Sequence, residues 1–425
     1  LDPKRIIIVI AITLHILLRH PERVNIYSGQ SHLKFIDNGL ISCRYAAFKS
    51  ILMSSVSPLL QHFASLEDPR VQRTQLHSLE NILTIAICAV ICGAEGWVEI
   101  EEFGESKQDF FTQLLDLTNG IPSHDTFGRV FAALDAQAFA DCFTSWISTL
   151  AQGVDQDIIA IDGKTMRRSL DKANGKAAIH LVSAFACTNR LVLGQVKVES
   201  KSNEITAIPE LLRRLVLSGS LVTIDAMGCQ KAIAHQLHEA GADYVLSLKE
   251  NHPGLYNDVS HYFDYVSSQP EHLSEYEDVD AGHGRIERRT VQMTHVDWLP
   301  EKACWCGLHS IIRVIRERYV GNEVSRESCY FISTLRPTEA QRAATAIRSH
   351  WQIETQLHWC LDIAFNEDQQ RMREGNAAAN MALLNKIALN LLRLAPTKAG
   401  IKARRKRAGW DGEYLLTVLG KAHQI

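Results

Sequence analysis

Between residues 78 and 92 the chain reads SLENILTIAICAVIC, apolar at almost every position after a Ser-x-x-Asn opening, which predicts a helix buried on most of its sides. Residues 125–134 and 139–150 carry the two-faced spacing of amphipathic helices, with Pro122 and Ser123 as the start signal of the first. After Gly153 the period changes. Short β-branched runs at 157–161, 178–185 and 193–198 predict three strands, joined by segments containing Gly175, Asn189 and Gly194. Helical spacing at 205–217, a strand at 221–224, a helix at 230–240 and a strand at 244–248 follow.

The resulting order, β-β-β-α-β-α-β, is a meander followed by alternation that requires parallel pairing. It is the plan of a ribonuclease-H-like α/β fold, with a mixed five-stranded sheet and flanking helices. Residues 250–280 hold eight acidic side chains and no Lys or Arg, and strands at 290–293 and 310–317 follow, so about 250–335 reads as a β-rich insertion. Residues 339–394 are helical again apart from a polar stretch at 366–370. The expected organisation is an N-terminal extension over 1–52, a helical domain over 53–150, a catalytic domain with its insertion over 151–395, and a basic tail over 396–425. The helical domain carries nothing that looks catalytic and reads as a packing or dimerisation module, or as a DNA contact.

At 425 residues with 46% hydrophobic and 22% charged positions, the chain is a globular protein rather than a disordered one. Ten cysteines without repeated C-x-x-C pairs fit a reducing, cytoplasmic setting and no zinc module. The apolar run at 6–18 spans 13 residues, short of the roughly 20 a membrane helix needs, and no small-residue cleavage pattern follows it. A net charge of −3 argues, taken alone, against a nucleic-acid partner. That average hides segregation: the eight acids of 250–280 stand against seven basic residues in 393–407.

Asp162 and Asp225 each directly follow an apolar strand, in IDGKT and TIDAMGC. Each taken alone is a turn aspartate. With the first and fourth strands adjacent, both carboxylates reach one divalent cation, which offsets their repulsion. Gly163 serves there as a turn residue. The GKT at 163–165 lacks the glycine-rich cradle of a P-loop. In 348–362 the residues His350, Glu354, His358 and Asp362 recur every four positions and form one polar helix stripe, either a solvated face or a surface turned to the aspartates. His350 and His358 are separated by about 12 Å of helical rise, too far for one zinc. Trp351 and Trp359 read as core residues.

LEDPR (66–70), CAVICGA (88–94), GIPSHDTF (120–127), IDGKTMRRS (161–169), IDAMGCQ (224–230), GHGRIE (282–287) and HWQIE with LHW (350–354, 357–359) together resemble the ISAs-type insertion-sequence DDE transposases, the group that includes H-repeat-associated proteins. The match runs from about Met53 to the end. The resemblance implies a bacterial enzyme of the cytoplasm and nucleoid that hydrolyses phosphodiesters and transfers strands, acting on double-stranded DNA (element-end repeats and target DNA) as a homo-oligomer without a membrane. It implies catalytic, metal-holding carboxylates at Asp162, Asp225 and Glu354, with Mg2+ or Mn2+, two ions, as cofactor; Glu367 and Asp368 compete locally for the place of Glu354. A metal-dependent nuclease without strand transfer and an inactive DNA-binding relic are the rival readings. The Tyr and Lys that flank the third acid in related transposases have no counterpart, since Ile347, His350 and Leu361 stand at the flanking places. Expected DNA contacts are Lys164, Arg167, Arg168, Lys249, His350 and the basic run Arg404, Arg405, Lys406 and Arg407; the run is equally a solvated charged face.

Overall fold

The computed structural model describes residues 59–150, 157–170, 175, 177–199, 202–282 and 284–420. The extension over 1–52, with its apolar run, lies outside them. Helix α1 (Leu79–Cys92) begins where the Ser78 hydroxyl accepts the Asn81 N–H at 3.1 Å, and it ends on Gly93, whose φ of 123° suits only glycine. Every residue from Asn81 to Ile91 is buried. Helices α2 (Trp97–Ser106), α3 (Gln108–Phe111), α4 (His124–Ala133) and α5 (Ala136–Leu150) surround it, and the Trp97 ring stacks on Phe131 at 5.0 Å.

Nine strands form one mixed sheet in the order β3-β2-β1-β4-β5-β9-β8-β7-β6. β1 (Ile158–Met166), β2 (Ile179–Ala186) and β3 (Leu191–Lys197) make the antiparallel meander. The chain crosses through α6 (Glu204–Leu212) to β4 (Leu221–Ile224), then through α7 (Lys231–Glu239) to β5 (Asp243–Leu248), and these pairings are parallel. Helices that leave and return on a sheet face impose that direction.

The five-stranded sheet expected from the sequence is thus part of a larger one. After α8 (Pro253–Val266) come β6 (Ser274–Gly282), β7 (Arg285–His295), β8 (Ser310–Val320) and β9 (Glu323–Ser333). β9 docks antiparallel on the open edge of β5, pairing Val245 with Ser333 and Leu248 with Tyr330. An unpaired strand edge invites such addition, so the inserted strands extend the sheet instead of folding apart from it.

Helix α9 (Ala340–His350) continues through a π-helical turn, Ile353–His358, into α10 (Trp359–Phe365), which stops at Asn366 with φ 53°. Helix α11 (Ala377–Leu394) is buried along almost its whole length, and α12 (Ile401–Trp410) and α13 (Gly412–Gly420) follow. One hydrophobic cluster joins α1, α4 and α5 to α11, α13 and the π turn through residues such as Ile87, Phe131, Phe139, Ile353, Leu384 and Val418. Among the described residues no single helix is long and apolar enough to cross a membrane.

The segment expected as a basic tail is therefore helical and docked. Arg405 is 3% exposed; its guanidinium donates to the carbonyls of Val90, Ala94 and Ala364 and lies 4.1 Å from the Phe365 ring centroid. It satisfies carbonyls that helix ends leave without partners. Arg405→Met keeps the apolar stem and strips those donors, and should lower the unfolding free energy by roughly 3 kcal/mol, read by urea denaturation.

Candidate functional site

The β1–β4 register brings the two aspartates together. Ile161 stands opposite Ile224, and each is followed by its aspartate. Asp225 sits in the turn after β4, where one carboxylate oxygen accepts the N–H groups of Met227 (3.1 Å) and Gly228 (3.3 Å). Asp162 differs from its expected setting, because β1 does not end there but runs on to Met166 against β2. Gly163 is consequently no turn residue and has no positive φ. A Cβ at 163 would lie 2.2 Å from Glu204 Oε1 and 2.4 Å from His180 Nε2. Glycine is required there for close approach, not for chain reversal.

The helical stripe faces this end of the sheet. His350, half-buried, meets the Thr223 hydroxyl at 3.0 Å through Nδ1; His358 Nδ1 lies 3.7 Å from Asp162 Oδ2; Asp362 bonds the Lys164 ammonium. Glu354, in the π turn, is exposed, and its carboxylate has no hydrogen-bond or ion-pair partner among the described residues. Burial foremost, then the charges of Asp225, Glu204 and Glu354, push the Asp162 carboxyl up to about 7, against an opposing hydrogen bond from the Gly163 N–H. Burial, with Lys164 and Lys386 nearby, pulls His358 down to about 3, so its ring is neutral at physiological pH. Among the described residues no three His, Cys, Asp or Glu side chains converge on one point as a closed metal cage. Mg2+ seldom uses such a cage: one or two carboxylates, waters and substrate phosphates make up its shell. The all-carboxylate donor set, with mutual repulsion already raising Asp162, fits that chemistry.

Several cations expected at DNA are engaged elsewhere. Lys164 is held by Asp362, by Glu367 at 3.1 Å and by Asp368 at 3.8 Å, which also occupies the two acids that competed with Glu354. His350 is bonded to Thr223 of β4, Arg404 donates to the carbonyls of Leu392, Thr397 and Ala399, and Arg405 is enclosed as described above. Arg167, Arg168, Lys249, Lys406 and Arg407 are exposed. Trp351 and Trp359, expected in the core, are 51% and 64% exposed, while Ile353, Leu357 and Leu361 face the core.

Sequence reasoning missed the most basic concavity. A cleft of about 1110 Å³ between the β6–β9 strands and α9 is lined by Arg285, Arg288, Arg289, Arg316, Arg318, Arg326 and Arg348 against four carboxylates. Arg285, Arg288, Arg289, Arg326 and Arg348 are ion-paired to acids of these strands, while Arg316, directly opposite Arg289, and Arg318 have no ion pair among the described residues. Trp351, Gln352 and Thr355 line one end, so the cleft reaches the turn that carries Glu354, and the Arg316 guanidinium lies 5.9 Å from the Trp351 ring centroid. The alternation Arg316, Arg318 along β8 was the only sequence signal, and interspersed acids masked it.

Two family models match the chain. One, described as the transposase DDE domain, covers residues 153–391, and one described as DDE_Tnp_1-associated covers 60–147. A relative from Escherichia coli (strain K12), "H repeat-associated putative transposase YhhI", is 41% identical over 372 residues, 85% of this chain and 97% of that protein. "Putative transposase YncI" of Escherichia coli O157:H7 is 40% identical over 377 residues, 87% and 96% of the two chains. "Inactive transposase YbfQ" of strain K12 is 50% identical over 72 residues, 17% of this chain and 86% of that protein.

Beneath the aspartates lies a buried charge network. Lys386 donates to Gln195 Oε1 at 2.6 Å, and Glu367 takes Lys164 and Asn385. Burial alone would raise the Glu367 carboxyl, but Lys386 and then Lys164 hold it below its ordinary value of 4.5. A carboxyl depressed by folding stabilises fully above its ordinary pKa and loses that contribution as pH falls through the folded value. Glu367→Gln should therefore cost about 3–5 kcal/mol at neutral pH by leaving buried cations uncompensated, and should flatten the acid limb of the stability curve, both measurable by urea unfolding across pH.

Proposed function

The chain belongs to the transposase DDE family, and we propose that it cleaves DNA at the ends of an insertion element and joins the freed 3′ ends to target DNA, with Asp162, Asp225 and Glu354 as its catalytic carboxylates. The observation that carries this reading is that Asp162 and Asp225 each follow the paired Ile161 and Ile224 of the parallel, in-register strands β1 and β4, with Glu354 near enough to press on Asp162 by charge. The core of this machinery is a ribonuclease-H-like half-sheet, β3-β2-β1-β4-β5.

Asp162, Asp225 and Glu354 would hold Mg2+ or Mn2+, two ions in all, which when bound supply Lewis-acid stabilisation of the attacking and leaving oxygens at phosphorus. The protein's own groups do the rest. The neutral His358 ring lies 3.7 Å from Asp162 and covers it without bringing a competing positive charge. Asp225 is pre-aimed by two backbone N–H groups. Glu354, unpartnered among the described residues, is free to close on the site when substrate arrives. Lys164 ties β1 to α10 and so sets the distance between the aspartates and the helix, rather than meeting phosphate.

DNA is proposed to run along the arginine cleft toward Glu354, with Arg167, Arg168 and Lys249 near the aspartates and Lys406 and Arg407 as outlying contacts. Neutralised phosphates release counterions, which favours binding there. Bringing two element ends together calls for at least a dimer on DNA. Cleavage without any joined product from a pre-cleaved 3′ end would favour a nuclease instead.

Asp162→Asn, Asp225→Asn and Glu354→Gln should each abolish cleavage and joining of a labelled element-end duplex while binding to that duplex stays nearly intact; wild-type rates in any of them overturn the assignment. Replacing Arg316 and Arg318 by Ala should weaken binding and reduce the slope of log K against log salt by about 2, whereas an unchanged slope excludes the cleft as the DNA path.

A further inference from the structure

Glu204 is a fourth acid at this end of the sheet, and neither the three-carboxylate reading nor the family comparison assigns it a part. It is the first residue of α6, behind the Asn203 N-cap, and its side chain is 12% exposed. Its Oε1 lies 2.6 Å from His180 Nε2. A carboxylate only accepts, so Nε2 carries the proton, and His180 Nδ1 is then the acceptor for the Thr165 hydroxyl at 2.8 Å. The chain of donors runs Thr165 to His180 to Glu204, which fixes the ring tautomer and leaves Oε2 with no partner among the described residues. Thr165 and His180 are register partners on β1 and β2, so the strand pairing itself aims the imidazole.

The pair lies against the backbone one residue beyond Asp162, in the space that Gly163 leaves by having no side chain. An ordinary surface His–Glu pair has no need of that glycine. Here the fold clears room to bring a second carboxylate up to a buried one, and Glu204 adds to the charge bearing on Asp162. Poorly solvated carboxylates whose charges bear on one another cost free energy unless a cation offsets them. Carboxylates that ligate metals are themselves held by hydrogen bonds, which is the relation of His180 to Glu204.

We propose that Glu204 shares with Asp162 the hold on a divalent cation, as a fourth acidic ligand oriented by His180, on the β2 side of the site and opposite the side served by Glu354. This rests on the proposed metal-dependent function. It makes Glu204 the acid held by a hydrogen bond to the sheet and leaves Glu354 as the one without a partner among the described residues.

The test is direct binding of Mn2+ to the full-length protein without DNA, followed by the electron paramagnetic resonance signal of free Mn2+, for the wild type and for Asp162→Asn, Glu204→Gln, Glu204→Asp and Glu354→Gln. Thermal unfolding without metal checks that each variant is folded. The expected result is that Glu204→Gln and Asp162→Asn each weaken Mn2+ binding by roughly tenfold or more, and that Glu354→Gln weakens it less. Glu204→Asp keeps the charge and shortens the reach by one methylene, so it covers the case in which the glutamine variant does not fold, and it too should lose affinity. Wild-type Mn2+ binding in folded Glu204 variants, with binding lost in Asp162→Asn, overturns the role of Glu204 and leaves the proposed function standing. Wild-type binding in Asp162→Asn as well overturns both.

Discussion

The parallel pairing of β1 with β4 is the constraint from which the site follows. Ile159, Ile161, Val222 and Ile224 are buried on one side of the sheet, and a one-residue slip of either strand would move its pair to the other face. Hydrophobic burial therefore locks the register, and the register places two aspartates at one sheet end. Burial foremost, and then the neighbouring acids, raise the Asp162 carboxyl.

The surroundings divide between groups that fix and groups that move. Lys164 with Asp362 and Glu367, and Lys386 with Gln195, form polar links among β1, β3, α10 and α11, in which Glu367, Lys386 and Gln195 are buried. Buried ion pairs add little net stability compared with apolar packing, but they tolerate few alternative geometries. His350 and His358 dock the helical segment on β4 and β1. Glu354 and the two tryptophans are exposed side chains of that segment, and Trp351 lines the arginine cleft. The unit thus has a rigid floor under the aspartates and an adaptable wall beside them.

How much of this could be read in advance followed the strength of local hydrophobic signals. α1 and strands β1 to β5 are densely apolar and were legible, and Asp162 and Asp225 were legible because each closes such a run. β6 and β9 were not: the first six residues of β9 are all exposed, so no buried face marks it in sequence. α8 was hidden inside a stretch that stood out only for its acidity. Glu204 and the arginine cleft arise from pairing between distant segments, where spacing along the chain carries no information. The basic run at 404–407 misled for a different reason, since a charge count cannot distinguish a solvated arginine from Arg405, whose donors end two helices. Gly163 was legible as important and wrongly explained, because close approach leaves the same mark in sequence as a turn.

The π turn at Ile353–His358 carries one further consequence. A π turn is an α-helix with one residue too many, so the helix beyond it is rotated by about 100° relative to a regular continuation. That rotation lets His350 meet β4 and Asp362 meet Lys164 while Glu354 stays clear of both. The extra residue is the angular offset between two halves of one helix. A lineage that lost it by a one-codon deletion would keep every catalytic side chain in its sequence and lose their alignment in space, a route to silence that no inspection of the acids alone would detect.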